Sequence, residues 1–252
     1  MTFDLKEISR ELNDFVFTAQ IPSTGELIKG RPYTIRDEFK LAQIQRATVR
    51  GHTMEMLLEM IKTKYFSLTQ KQIEALTTVD VQHLLGQLKL QSEDSNVPLV
   101  ITCVKCGHEF KHSFNIKNIE LPPDSKFTAD IEITSKSKLK SKLTLTLKRI
   151  SFMTLIKNYT DEEEQVQDMN DEQVKQYLVE SIYSIAYGDE VKKDIPLEDM
   201  VEFVEDIPKE NFPKLKEFLA NPPTLVYNSK LVCPECGFEN SLSVDDFFFL
   251  FF

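Results

Sequence analysis

The chain carries four cysteines in two pairs of one form, Cys103-Val-Lys-Cys106-Gly107 and Cys233-Pro-Glu-Cys236-Gly237. Two intervening residues let both thiolates of a pair reach one metal ion. The glycine that follows permits the tight turn that aims backbone N–H groups at sulfur. Four thiolates complete a tetrahedral site and leave no position for water, so Cys103, Cys106, Cys233 and Cys236 are expected to hold a structural rather than a catalytic Zn2+. Haem attachment of the c type needs a histidine directly after the second cysteine, where Gly107 stands. A thioredoxin-like redox pair opens a helix, whereas alternating residues follow both pairs here. Two disulfides would need an oxidising compartment, and Met1-Thr-Phe-Asp-Leu-Lys-Glu7 lacks the basic start and apolar run of an export signal. His108 and His112 sit near the first pair and would serve as ligands only if the two pairs failed to meet.

Other chemistry is poorly provided for. The sequence contains no G-x-x-x-x-G-K-[ST] loop, no G-x-G-x-x-G after a strand, no G-x-S-x-G elbow and no H-E-x-x-H pair. Only 7 glycines are present, which makes a phosphate-cradling loop hard to build. The acidic clusters Asp161–Glu164 and Glu198-Asp199 fall at helix starts, where carboxylates favour the helix dipole, so the chain is read as not an enzyme. Its 40 Asp and Glu against 30 Lys and Arg give a net charge of −10, which repels phosphate backbones and makes nucleic acid an unlikely partner. The longest apolar run, Phe247–Phe252, is far short of the roughly 20 residues that cross a bilayer, so no membrane partner is expected.

The elements that must position the cysteines follow from periodicity. Residues 1–96 read as an N-terminal arm and helical region: a short helix, a turn-rich hairpin or extended arm punctuated by Pro22, Gly25, Gly30 and Pro32, then helices from about Ile35, His52, Thr69 and Val79. Residues 97–150 read as the first knuckle and a hairpin. Val97–Cys103 and Phe110–Ile116 alternate around the knuckle, and Lys126–Thr134 and Lys142–Ile150 alternate as an antiparallel pair. Residues 151–224 read as an acidic helical insertion, with a helix over Asp171–Ala186 among its four. Residues 225–252 hold the second knuckle and an aromatic tail. The expected fold is α+β, mostly helical, with a split zinc-ribbon-like β unit and an inserted antiparallel β-hairpin. Because 126 residues lie between Cys106 and Cys233, tertiary structure must bring the pairs together.

Three places resemble the baseplate hub assembly proteins of T-even-type contractile-tailed bacteriophages. The segment Ile28-Lys-Gly-Arg-Pro-Tyr-Thr-Ile-Arg-Asp-Glu-Phe-Lys-Leu41 is similar to that family's Arg-Pro-aromatic-Thr-x-[Lys/Arg]-[Glu/Asp] segment. Cys103–Ile116 is similar to its first knuckle and following strand, and the final knuckle runs into an aromatic C-terminus. The resemblance implies a late protein of tail assembly in the cytoplasm of the infected bacterial host. It acts on other phage tail or baseplate hub proteins, either as a chaperone that leaves or as a component of the virion tail baseplate. The alternative is a zinc-ribbon nucleic-acid or transcription-associated module that uses the basic stretch Lys136–Lys148.

Two regions are candidate partner-binding surfaces. Arg31 and Arg36 stand in the family-like segment. Phe247, Phe248, Phe249, Leu250, Phe251 and Phe252 form a tail that water would disfavour, so it either packs on the protein's own helices or inserts into a partner or a second copy.

Overall fold

The C-terminal cysteines return to the first pair through the topology of the chain. One unit joins Met1–Pro122 to Thr224–Phe252, and a second unit, Pro123–Pro223, is carried between those two pieces. A computed structural model describes residues 4–46, 50–93, 95–137, 139–158 and 171–244. The N-terminal piece runs α1 (Leu5–Leu12), β1 (Phe17–Gln20), β2 (Leu27–Gly30), α2 (Ile35–Arg46), α3 (Arg50–Lys64), α4 (Gln70–Ala75), α5 (Thr78–Ser92), β3 (Asn96–Thr102) and β4 (Glu109–Asn115). The second unit contains β5 (Thr128–Ile133), β6 (Leu143–Lys148), α6 (Phe152–Asn158), α7 (Asp171–Ser181), β7 (Ile182–Tyr187), β8 (Glu190–Lys192), α8 (Leu197–Glu205) and α9 (Phe212–Ala220). The C-terminal piece adds β9 (Tyr227–Val232) and β10 (Glu239–Val244). The architecture is mixed α+β, with small antiparallel sheets throughout.

In the first unit α5 is the central helix, because apolar residues occupy almost its whole circumference. Val79, Val81, Leu84, Leu85 and Leu88 are all buried. Its start is fixed by a capping box in which the Asp80 carboxylate accepts from the Thr77 N–H and hydroxyl while the Thr77 hydroxyl takes the Asp80 N–H. Asp80, itself fully buried, also accepts from the Ser23 N–H at 2.8 Å and so ties the β1–β2 turn to the helix. Thr69 and Gln72 form the same box on α4. On α3 the buried stripe is Leu57, Leu58, Met60 and Ile61, and Tyr65 follows it into the core, its hydroxyl donating to the Leu84 carbonyl at 2.6 Å.

Gly30 ends β2 against that tyrosine. A Cβ there would lie 2.8 Å from Tyr65 Cδ1 and 2.9 Å from Phe17 Cζ, two rings already packed edge to face. Neither ring can retreat from a filled core, so Gly30→Ala is expected to cost about 1–3 kcal/mol. Urea unfolding should show a lower midpoint at an unchanged slope.

Ile35, Phe39, Leu41 and Ile44 recur at broadly helical spacing along α2, and at 3.6 residues per turn they divide between two faces. Asp37, Leu41 and Ile44 face the core, while Ile35 and Phe39 are exposed. A charged side chain can hold the inward position because the buried Lys64 pairs with it.

The second unit has its own core. Its sheet is antiparallel in the order β5-β6-β7-β8, and Ile133, Leu145, Leu147 and Ile182 pack with Leu178, Val179, Met200, Val204, Leu215 and Phe218 of the helices. The inserted hairpin expected from the sequence is therefore one half of a four-stranded sheet. The helix expected over Asp171–Ala186 stops at Ser181, and Ile182-Tyr-Ser-Ile-Ala-Tyr187 continues as β7. β-Branched and aromatic residues favour the pleated surface, and β7 pairs with β6 from Leu143 opposite Tyr187 to Leu147 opposite Ile182. The basic stretch after β5 links it to β6, in keeping with a solvated connection.

Arg149 anchors α9 to this sheet. Its guanidinium stacks on Phe218 and donates to the carbonyls of Lys126, Phe218 and Asn221. Burial lowers its pKa to about 10, and the carbonyls at the end of α9 still favour the cation.

Candidate metal centre

Both cysteine pairs sit on turns between paired strands. β3 pairs with β4 from Asn96 opposite Asn115 to Thr102 opposite Glu109, and β9 pairs with β10 from Tyr227 opposite Val244 to Val232 opposite Glu239. The two turns repeat each other bond for bond. Cys103 N–H donates to the His108 carbonyl and Gly107 N–H to the Cys103 carbonyl, each at 2.9 Å. Cys233 N–H donates to Phe238 at 2.9 Å and Gly237 N–H to Cys233 at 3.0 Å. Gly107 and Gly237 adopt φ of 73° and 66°, and a Cβ on either would meet nothing within 4 Å. Backbone conformation, not space, is what requires glycine there.

The hairpins meet side by side within the first unit. Glu120 and Val226 exchange backbone hydrogen bonds at 2.9 and 2.8 Å, which brings the returning chain alongside the first hairpin. The ring of fully buried Phe114 lies 5.0 Å from that of Tyr227. The result is that Cys103 Sγ lies 3.7 Å from Cys236 Sγ and Cys106 Sγ lies 3.7 Å from Cys233 Sγ, with all four sulfurs within 4.8 Å of one another. Disulfide sulfurs stand about 2.05 Å apart, so these are four free thiols. A tetrahedral ion with metal–sulfur distances of ~2.3 Å separates its ligands by roughly 3.8 Å, and the donor set matches that spacing. The four cysteines could hold a metal such as zinc.

The electrostatics point the same way. Burial pushes the Cys103 thiol up, but the N–H groups of Cys106 and Lys105 and the Asn240 amide, all directed at its sulfur, bring it down to about 6. Cys106 receives the His108 N–H, which lowers its pKa. The neighbouring Cys236, Cys103 and Cys233 sulfurs and burial outweigh that, and the thiol rises to about 12. Close packing of the sulfurs lets one thiolate form and opposes the ionisation of a second.

Asn240 is the functional residue that pattern reading does not single out. Buried in β10, it accepts the Val104 N–H at 3.0 Å, donates to the Phe238 carbonyl at 3.2 Å and directs its amide at Cys103 Sγ at 3.7 Å. It latches the second hairpin to the first knuckle. The equivalent place after the first knuckle is Phe110, so the signal was a polar residue at a strand position where the duplicate is aromatic. Asn240→Ala removes the partner of a part-buried N–H and is expected to cost about 1–3 kcal/mol, read from the thermal midpoint.

The other expected site residues fall as follows. His108 stacks near Phe110 and neither it nor His112 joins the sulfur cluster. Arg31 is exposed, its guanidinium 4.6 Å from the Phe66 ring centroid, and exposed Arg36 lies in the first turn of α2. Both line a cleft of about 780 Å³ with Leu12, Ile35 and Lys40. Phe247–Phe252 lie outside the described residues. Among the described residues no helix is long and apolar enough to cross a membrane.

Paired hairpins whose turns bring four thiols together define a protein with a candidate metal centre. The family model for the T4 bacteriophage base plate protein matches residues 12–251, and the chain belongs to that family. Comparison with curated proteins and with solved structures gave no match. Membership makes this a T4-type baseplate protein, with a structural or assembly role in the phage tail baseplate and interactions with other baseplate components.

Proposed function

We propose that the chain is a non-enzymatic hub component or hub assembly factor that binds other tail proteins, with Cys103, Cys106, Cys233 and Cys236 holding one structural Zn2+. The observation that carries the metal reading is the convergence of four sulfurs from turns 127 positions apart. In this reading the two hairpins are halves of one split zinc ribbon, and the unit between them is an insertion. The zinc fixes the C-terminal piece to the middle of the chain and so sets where the following tail emerges. Phe247–Phe252 would then anchor a partner or a second copy, with Arg31 and Arg36 offering a further contact surface. The protein would work in the host cytoplasm during tail construction and either remain in the baseplate or leave as a chaperone.

The test is a phage in which this chain is deleted and then resupplied. Deletion should abolish complete baseplates in electron micrographs of infected cells, and wild-type chain should restore them. Chain lacking residues 247–252 should restore them poorly while melting as wild type does. Normal tails in the deletion would overturn the assembly role. Binding of DNA that weakens with salt by several charges would favour the nucleic-acid module instead.

A further inference from the structure

We propose that the cleft beside α1 and the start of α2 docks an acidic, amphipathic segment of a protein partner. The inference rests on the reading that the chain binds other baseplate proteins, and it specifies the chemistry that one face accepts. α1 repeats Leu5, Ile8 and Leu12 along one stripe, yet none of its residues is buried. Leu5 and Leu12 are 70% and 79% exposed. On α2, Ile35 and Phe39 form an outward apolar row, 77% and 68% exposed, beside a cationic row of Arg36 and Lys40. Among the described residues, no member of either apolar stripe is buried.

The charge of the cleft is one-sided. Arg31, Arg36 and Lys40 line it, and among the described residues none of them forms an ion pair with a carboxylate. Its carboxylate, Asp37, is neutralised by Lys64. A cationic cleft on a chain of net charge −10 is a local reversal of the surrounding field, which favours an anionic group arriving at that place. A nucleic acid would satisfy the cations but set phosphates against Leu12, Ile35 and Phe39, and the rest of the surface would repel it. An amphipathic segment matches both rows at once: carboxylates at helical spacing meet Arg36 and Lys40, and its apolar residues cover Leu12 and Ile35. The cleft's volume admits several side chains of such a segment.

The probe is a fluorescein-labelled synthetic peptide with Glu and Leu at helical spacing, titrated with the full chain and followed by anisotropy. Controls are the same peptide with Lys for Glu and a single-stranded oligonucleotide of similar length. Saturable binding of the acidic peptide is expected, weakening with salt. It should weaken about tenfold or more in Arg36→Glu/Lys40→Glu and in Leu12→Asp/Ile35→Asp. Leu12, Ile35 and Arg36 are exposed and Lys40 is half-buried, and none of the four is in the core, so both variants should keep the wild-type circular-dichroism spectrum and melting point. Absence of saturable binding, equal binding by the variants, or preference for the oligonucleotide or the basic peptide would overturn the proposal. A phage carrying Arg36→Glu/Lys40→Glu that assembles normal tails would remove the cleft's role while leaving the baseplate reading intact; only the deletion phage tests that reading.

Discussion

Replacing Cys233 by serine is expected to remove the bound metal and to destabilise both hairpins of the first unit, the first as much as the second. The four sulfurs form one cluster, so the loss of one ligand is felt by the turn at Cys103–Cys106 even though the substitution is in the other hairpin. Structural zinc contributes roughly 10–16 kcal/mol in small peptides. Here part of the hairpin contact is independent of it: the Phe114–Tyr227 packing, the Glu120–Val226 bridge and the Asn240 latch remain. The expected loss is therefore smaller but still several kcal/mol, or about 10 °C or more in melting temperature. Atomic spectroscopy should find one zinc per wild-type chain and none in Cys233→Ser. A chelator should lower the wild-type melting point toward that of the variant and leave the variant unchanged. Cys106→Ser should give the same result, since it removes a ligand of the same site from the opposite hairpin. Wild-type protein that is purified metal-free and melts where Cys233→Ser melts would end the metal reading.

How far such a centre can be read without coordinates depends on which signals are local. The Cys-x-x-Cys-Gly spacing and the alternation around it are local, so the knuckles, their strands and their glycines were legible. Meeting of the pairs was legible only as a requirement, because the Glu120–Val226 bridge that brings them together has no sequence signature. Asn240 was hidden because its partners, Val104 and Cys103, lie in another hairpin. β7 was missed for a different reason: Asp171–Ser181 is a genuine helix that passes into a strand without an intervening Gly or Pro, so no punctuation marked the change. On α2 the apolar spacing marked the helix and left open which residues face inward. An ion pair in the core is invisible to a hydrophobic periodicity.

That ion pair supports the other large expected effect. Asp37 and Lys64 are 4% and 7% exposed, and the carboxylate also accepts from the N–H and hydroxyl of Thr34 at the start of α2. Burial raises the Asp37 pKa, but the hydrogen bonds from Lys64 and Thr34 outweigh it and hold the carboxyl below its usual range. Lys64→Ala leaves a buried carboxylate without its cation and is expected to cost about 3–5 kcal/mol. The double substitution Asp37→Leu/Lys64→Met removes both charges together and should cost much less, because no unpaired ion is left behind. A group whose folded pKa is depressed adds stability above its unfolded value, here about 4, and loses it as the pH falls through the folded value. The gap between wild type and Lys64→Ala should therefore be widest near neutrality and close below about pH 4, as protonation of Asp37 removes the charge that Lys64 neutralises. Denaturant midpoints measured across that range decide the matter: a gap independent of pH, or a double variant as unstable as Lys64→Ala alone, would show that Lys64 stabilises the core by packing its aliphatic stem rather than by its charge.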